Sequence, residues 1–287
     1  MYTKSDIIKN STSIAILLAT YNGALYLEQQ IESILYQSFD DWTLFINDDG
    51  SSDNTVSIIK SYANKFKEKI IFLQIKQKKL GASMNFQNLL YAVDSKYYMF
   101  CDQDDFWLPN KLEISMHAMN LSENRDPRKP ILVHTDLTIV GKELQIINKS
   151  FYRYSKTNPL KFCTFNFLGV ANCVTGCTIL VNNPVKRLIN QLPKTGFMYD
   201  WWIAIQVSKN GIINYIPEST VLYRQHTRNL IGAKHVGIRY FINILINIRK
   251  NIKIDIHNYK ILKKINYGSA TKYITYKALF QIIRLLY

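Results

Sequence analysis

Apolar residues fall along the chain in short runs, each followed by a polar loop and then by apolar positions at helical spacing. The first run is Ile14-Ala15-Ile16-Leu17-Leu18-Ala19. Turn chemistry follows at Thr20-Tyr21-Asn22-Gly23, and Leu27, Ile31, Ile34 and Leu35 then recur on one helical face. The same order returns three times. Thr43 to Ile46 predicts a strand, Asn47 to Asn54 a loop, and Thr55 to Phe66 a helix with Val56, Ile59 and Ala63 inward. Ile70 to Ile75 predicts a strand, with a loop near Gly81 and a helix over Ser83 to Val93. Tyr97 to Cys101 predicts a buried strand, with a helix from Pro109.

Four strand-loop-helix units in series imply a mostly parallel sheet with helices on both faces. Ligands of such sheets bind outside the carboxyl ends of the strands, where all four loops emerge. Tyr21-Asn22, Asp48-Asp49, Gly81 to Asn85 and Asp102 to Asp105 are therefore expected to face one crevice. The last of these loops, Asp102-Gln103-Asp104-Asp105, packs three carboxylates into four positions. Crowded carboxylates repel and raise the cost of ionising one another. A helix cap accounts for at most one of them, so a cation is expected there, and hard oxygen ligands point to Mg²⁺ or Mn²⁺. The loop Asn47 to Thr55 ends in residues suited to capping, Asp53 or Asn54, which leaves Asp48-Asp49 unexplained by capping. Neither a Gly-x-x-x-x-Gly-Lys-Ser/Thr loop nor a Gly-x-Gly-x-x-Gly turn occurs, which excludes P-loop and nicotinamide-type sites.

Beyond Pro109 the alternation changes. Ile131-Leu132-Val133 predicts a strand leading to His134 and Asp136, for which a structural role is favoured slightly over a site role for Asp136. The aromatic stretch Phe151 to Phe167 predicts a helix. Cys173 to Val181 predicts a strand in which Gly176 lets another chain segment approach. Asp200, in Gly196-Phe197-Met198-Tyr199-Asp200-Trp201-Trp202, stands where a helix N-cap belongs. Two neighbouring Trp would desolvate it partly, raising its pKa and making it a better proton acceptor. Trp201 and Trp202 offer either an apolar floor for a sugar ring or core packing. If Glu218 to His226 is a strand, Arg224 and His226 share a face, and both can meet a diphosphate or its metal.

Charge changes the picture mainly at the end of the chain. The net charge is +15, and the stretch 235–287 holds ten basic residues against one acid, Asp255. Phe241, Ile244, Leu245 and Ile248, and later Ile261, Leu262, Ile265, Ala278, Leu279, Ile282, Ile283 and Leu286, lie at helical spacing among those bases. Amphipathic basic helices suit an anionic membrane surface; packing on the domain or on a second subunit is the alternative. No run approaches the roughly 20 apolar residues of a membrane-spanning helix, and the run Ile14 to Ala19 is short for a signal peptide core. The four cysteines, Cys101, Cys163, Cys173 and Cys177, form no Cys-x-x-Cys pair and read as buried reduced thiols, as in the cytoplasm.

Thr20-Tyr21-Asn22-Gly23, Asp48-Asp49-Gly50-Ser51-Ser52-Asp53 and Asp102-Gln103-Asp104-Asp105, taken together and in this order, resemble the signature set of the family 2 inverting glycosyltransferases. Two later segments fit, Thr175-Gly176-Cys177 and Tyr223-Arg224-Gln225-His226 with Asn229 and Gly232, and they resemble the rhamnosyltransferase-like enzymes of bacterial O-antigen and capsule assembly. The resemblance covers about residues 14–232. It implies a GT-A (Rossmann-like) α/β fold with a C-terminal helical extension. The implied division is a catalytic domain over 1–232, with a nucleotide-sugar half at about 13–109 and an acceptor half at 110–232, then a basic extension over 233–287.

The resemblance also implies roles. Tyr21 would stack on the nucleotide base, Asp49 would accept from its ring N–H, and Asp102 would contact the ribose. Thr20, Asn22, Asp48 and Gln103 belong to the same nucleotide-sugar set, and Asp105 would support its loop or reach the sugar. Gly81 and Asn85 match the loop over the donor, here with Lys78 and Lys79 just upstream. Asp104 and His226 would hold the metal, Arg224 would meet the diphosphate, Asp200 would be the general base, and Trp201 and Trp202 would floor the acceptor. The implied reaction moves a sugar, with inversion, from a nucleotide diphosphate to a hydroxyl of a polyprenyl-diphosphate-linked saccharide at the cytoplasmic face of the bacterial plasma membrane. Two rivals remain. A sugar-nucleotide nucleotidyltransferase would carry a Gly-rich basic loop after the first strand, where this chain has Thr20 to Gly23. A nucleic-acid-binding protein would explain the charge, but that charge lies mainly in the tail and no recognition motif accompanies it.

Overall fold

The computed structural model describes residues 7–73, 75, 79–189, 192–193, 195–227, 229, 232–233 and 235–286. Gln74 of the expected third strand and Lys78 of the donor loop lie outside the described residues. In chain order the elements are β1 (Ile8–Lys9), β2 (Ile14–Thr20), α1 (Leu27–Leu35), β3 (Trp42–Asp48), α2 (Thr55–Lys65), β4 (Ile70–Phe72), α3 (Ala82–Ala92), β5 (Val93–Asp94), β6 (Tyr97–Cys101), β7 (Phe106–Trp107) and α4 (Lys111–Glu123). They continue as β8 (Ile131–Val140), β9 (Ile146–Asn148), α5 (Phe151–Tyr154), α6 (Pro159–Phe162), α7 (Phe165–Leu168), β10 (Leu180–Asn182), α8 (Asn183–Leu188), α9 (Tyr199–Asn210), β11 (Ile212–Arg224), α10 (Ile238–Ile246), α11 (Ile248–Lys263) and α12 (Ala270–Leu286).

The main sheet runs β4-β3-β2-β6-β10-β8-β11-β7, with β9 paired to β8. The four strands from the repeated units, β4, β3, β2 and β6, are parallel neighbours. β10 is antiparallel to both β6 and β8, β11 is parallel to β8, and β7 is antiparallel to β11. This is the mixed, mostly parallel sheet flanked by helices that the pattern implied. Side chains alternate between its faces, so single strands serve two cores. Ile14, Ile16 and Leu18 of β2 join one core with Leu27, Ile31 and Ile34 of α1. Ala15 and Leu17 join the other, with Phe86 and Leu89 of α3 and Ile203 and Val207 of α9.

The second half departs from its expected elements in four places. Phe151 to Phe167 forms parts of three short helices, α5, α6 and α7, because Pro159 and the turn residues around it interrupt a single helix. Cys173 to Val181 is strand only from Leu180; a 3-10 turn at Gly176–Thr178 precedes it. The N-cap of α9 is Met198, which places Asp200 in the first turn and not at the cap. β11 ends at Arg224, so His226 lies beyond the strand.

The C-terminal helices lie partly on the domain. Leu262, Tyr267, Tyr273 and Phe280 are buried in the core that α9 shares. Arg284 is buried too, and its guanidinium donates to the Ser155 carbonyl.

Candidate active site

The carboxyl ends of β2, β3 and β6 open into a cleft of about 730 Å³. Of the residues expected to meet there, Thr20, Tyr21, Asp49, Gly81, Asn85, Asp102, Gln103, Asp104, Asp200 and Trp201 line it. Asn22, Asp48, Asp105, Trp202, Arg224 and His226 stand behind the lining.

The amino-terminal wall is a web of side chains bonded to loop backbone. The Thr20 hydroxyl donates to the Asp48 carboxylate at 2.9 Å. That carboxylate also accepts from the backbone N–H of Gly50 and Ser51, at 3.0 and 2.8 Å. Asp48 therefore builds the turn that carries Asp49. The Asn22 side-chain oxygen accepts from Ser52 N at 2.8 Å, which joins the loop after β2 to the same turn. Asp49 accepts from the N–H of Leu80 and Gly81 at 2.9 and 2.8 Å, which ties the donor loop to β3. Gly81 sits at φ +81°, backbone that a side chain would strain. Asn85 and Asn47 bond each other reciprocally, at 2.7 and 3.0 Å. The Gln103 amide clamps Tyr21, accepting from its N–H at 2.8 Å and donating to its carbonyl at 3.0 Å. The Tyr21 ring is left 49% exposed, as a stacking platform needs.

The acidic loop forms the floor. Asp102 is pushed up to about 7 by burial and by facing Asp104 and Asp200. The Asp104 carboxylate lies 2.8 Å from His226 Nε2, and the His226 ring rests on Tyr26 with centroids 5.0 Å apart. At 2.8 Å the carboxylate and the imidazole hydrogen-bond each other; a carboxylate oxygen and an imidazole nitrogen are both ligand types that Mn²⁺ accepts. Asp102, Asp105 and Cys177 also offer ligand atoms within 4.8 Å of one another. Burial holds the Asp105 carboxyl and the Cys177 thiol well above their ordinary values.

Arg224 is 2% exposed, and its guanidinium is engaged by protein: Nε donates to the Asp104 carbonyl at 2.9 Å, one Nη to Gln29 at 2.8 Å and the other to the Lys142 carbonyl. The Tyr26 ring covers it at 4.4 Å. The Arg224 N–H meanwhile donates to Asp105 at 3.1 Å. Arg224 and Asp105 thus hold the acidic loop against the end of β11. Pairing Arg224 with the carbonyl of Asp104 fixes the loop on which that carboxylate rides.

The carboxy-terminal wall is apolar around one carboxylate. Asp200 accepts from Asn172 Nδ2 at 3.1 Å and from Trp201 N at 2.7 Å, and burial pushes it up to about 6. Trp201 lines the cleft, with its indole N–H anchored on the Leu168 carbonyl at 2.6 Å. Trp202 is buried against Phe197 and joins the core, the packing alternative of its two readings. A Cβ on Gly176 would come within 2.1 Å of the Tyr199 hydroxyl, the close approach expected of that glycine. His134 and Asp136 are structural as read: His134 Nδ1 meets the Tyr152 hydroxyl at 3.0 Å, and Asp136 accepts from Leu137 and Phe151 N–H.

Residues 15–124 match the sequence profile of Glycosyl transferase family 2. By that match, residues 15–124 are a stretch of glycosyl transferase family 2 sequence. The chain is 28% identical over 230 residues to the dTDP-rhamnosyl transferase RfbG of Shigella flexneri, covering 75% of this chain and 74% of that one. It is 27% identical over 197 residues to the uncharacterized glycosyltransferase RP339 of Rickettsia prowazekii, of which it spans 58%. Among solved structures it resembles residues 1–349 of S. aureus TarS in complex with UDP-GlcNAc, with a TM-score of 0.58 at 14% identity over 84% of this chain and 66% of that one. It also resembles the mannosyltransferase PcManGT of Pyrobaculum calidifontis in complex with GDP-Man and Mn²⁺, with a TM-score of 0.56 at 14% identity, over 76% and 58%. At such identities the structures establish the GT-A-like fold.

Sequence reasoning missed the positioning residues of this site. Tyr26, Gln29 and Asn172 have no motif of their own, and each acts through a neighbour: Tyr26 under Arg224 and His226, Gln29 on Arg224, Asn172 on Asp200. For Tyr26 and Gln29 one signal was available. Both lie within a turn of Leu27, so a polar or aromatic residue there faces the same loop end as Tyr21.

Proposed function

We propose that this protein transfers a sugar from a nucleotide diphosphate to an acceptor hydroxyl in one in-line displacement, inverting the anomeric centre. The observation that carries the reading is Asp200. It is a carboxylate raised toward neutrality by burial, in the same cleft as Asp102 and Asp104. A base poised near 6 is still ionised at pH 7 and accepts a proton better than an ordinary carboxylate. Asp200 takes the proton of the acceptor hydroxyl as that oxygen attacks. The Tyr21 ring stacks the base of the donor, Asp102 holds its ribose, and Asp49, Gly81 and Asn85 shape the loop over it. Asp104 and His226 hold Mn²⁺ or Mg²⁺, which when bound offsets charge on the leaving diphosphate. Trp201 gives the acceptor sugar an apolar face.

The relatives support nucleotide-sugar chemistry of this kind, with donors on dTDP, UDP and GDP among them. The acceptor we propose is a saccharide on polyprenyl diphosphate, used in bacterial surface polysaccharide synthesis at the cytoplasmic face of the membrane. A thermal-shift panel tests the reading: UDP-glucose, UDP-galactose, UDP-N-acetylglucosamine, GDP-mannose and dTDP-rhamnose, each with Mn²⁺ or EDTA. A ligand that binds only the folded state raises its melting temperature by mass action. One donor is expected to stabilise with Mn²⁺ and to lose that effect with EDTA. Stabilisation by nucleoside triphosphates or DNA, with no response to any sugar donor, would sink the proposal.

A further inference from the structure

The C-terminal helices have an inner face that the core explains and an outer face that none of the described residues covers. On α10 and α11, which one residue separates, Ile242, Leu245, Ile246, Ile248, Ile252 and Ile256 are 48 to 73% exposed. Their spacing is helical: Ile242, Leu245 and Ile246 fall at i, i+3 and i+4, and Ile248, Ile252 and Ile256 at successive steps of four. Lone exposed apolar residues are ordinary; a row of branched side chains along two joined helices marks a contact surface.

The charge around that row has one sign. Arg249, Lys250, Lys253, Lys260, Lys263 and Lys264 are all exposed on the same pair of elements. The one acid of the stretch 235–287, Asp255, is bound within the protein, to Lys277 Nζ at 2.9 Å and the Tyr273 hydroxyl at 2.9 Å. The outer face thus presents apolar side chains and cations with no free carboxylate of its own stretch. A second copy would have to bring the same cations against each other. An anionic bilayer has the complementary character in both respects, with hydrocarbon below a negatively charged surface. Among the described residues no helix is long and apolar enough to cross a membrane, so the fit is to a helix lying in the interface.

We propose that α10 and α11 form a docking face for an anionic lipid bilayer, with the six aliphatic side chains entering the headgroup boundary and the flanking lysines and arginines meeting lipid phosphates. α10 starts six residues after Gly232, which lines the cleft. At no more than about 3.6 Å per residue, that link keeps the start of α10 within roughly 22 Å of the cleft. Docking then holds the cleft at the membrane surface. This face stands on its own observations and not on the reaction proposed above.

The test is flotation of the full chain with vesicles of phosphatidylcholine alone and of phosphatidylcholine with phosphatidylglycerol. Partition onto the phosphatidylglycerol vesicles is expected to be at least tenfold stronger, and to fall on raising the salt to about 1 M, where the Debye length is about 3 Å. The variant Leu245→Ser/Ile246→Ser/Ile252→Ser should lose at least tenfold in partition while keeping its melting temperature and its donor-induced thermal shift, since all three side chains point away from the core. Lys250→Gln/Lys253→Gln should weaken binding to the phosphatidylglycerol vesicles and leave the weak binding to neutral ones unchanged. Equal partition of wild type and the triple variant overturns the proposal. So does a dimer in sedimentation velocity that the triple variant dissociates, because the face would then belong to a second copy. A preserved donor shift in a chain that fails to float would overturn the docking face alone.

Discussion

The two walls of the cleft solve different problems with different materials. The amino-terminal wall is polar and cross-linked: Asp48, Asp49, Asn85 and Gln103 spend their hydrogen bonds on the backbone of neighbouring loops. Its geometry is set before any ligand arrives, and its charges are largely offset by those bonds. The carboxy-terminal wall has few such bonds. There Tyr199 and Trp201 line the cleft beside Asp200, and burial raises its pKa. A rigid polar wall can position a nucleotide, whereas an apolar wall can tune a base. The difference predicts that substitutions on the first wall change ligand affinity, while substitutions on the second change rate, or exchange rate for stability.

The largest expected effect is at Asp200. Asp200→Asn removes the proton acceptor and should lower kcat by about 10²–10⁴, measured as transfer to acceptor at saturating donor. The donor-induced thermal shift should survive. The same variant should be more stable than wild type. Burial raises the Asp200 carboxyl from the ordinary 3.8 to about 6 in the folded protein. The folded state therefore holds this proton more tightly than the unfolded chain does, and stability falls as pH rises from the unfolded value through 6. A rise of that size corresponds to about 3 kcal/mol, reduced to about 1–2 kcal/mol because the side chain borders the open cleft. The stability gap between Asp200→Asn and wild type should therefore open between about pH 4 and pH 7, read by denaturant melts across that range. A gap that is flat with pH would mean that the apolar wall does not tune this carboxylate.

On the opposite side, Asp104→Ala should abolish the metal-dependent part of donor binding, as should His226→Ala to a lesser degree. The expected pattern is a donor shift equal to that of wild type in EDTA, with the unliganded melting temperature little changed. A His226→Ala enzyme that kept the full Mn²⁺ effect would move the metal toward Asp102 and Asp105.

Gly176→Ala probes the rigidity of the apolar wall. The new methyl would lie within 2.1 Å of the Tyr199 hydroxyl, and Tyr199 is itself packed between Phe86 and Phe100. Overpacking of this sort costs about 1–3 kcal/mol, which thermal melts would register as a lower melting temperature. The turn at Gly176–Thr178 would shift beneath Asp200, so kcat should fall with it.

What could be read in the sequence follows the same divide. The parallel half was legible because each strand is an uninterrupted apolar run ending in a polar loop, and strand polarity alone gathers those loops. Which of the gathered residues face the ligand was not legible. Asp48 and Asp49 are adjacent and chemically identical, yet one closes a turn and the other lines the cleft. Arg224 carries charge in a recognisable pattern, but its guanidinium is engaged inside the protein. The acceptor-side elements were the least legible. Pro159, the 3-10 turn at Gly176 and the aromatic density of 151–167 produce short pieces whose placement depends on contacts far along the chain, such as those with Tyr267 and Phe280. Trp202 could not be told from Trp201, because helical spacing of one residue turns one ring to the core and its neighbour to the cleft.

The smallest effect expected is at Gln103, and it bears most directly on the comparison. Gln103→Ala removes two hydrogen bonds to the Tyr21 backbone, each worth about 0.5–1.5 kcal/mol. Part of that is recovered because Tyr21 is half-exposed and water can take both places. The fold should therefore lose about 1 kcal/mol or less. The effect on the donor is of another kind. Freed from its clamp, the Tyr21 ring must be ordered each time a nucleotide stacks on it, so KM for the donor should rise several-fold while kcat at saturation holds. If kcat fell instead, the polar wall would be shaping the transition state as well as the ground state, and the division of labour between the two walls would not stand.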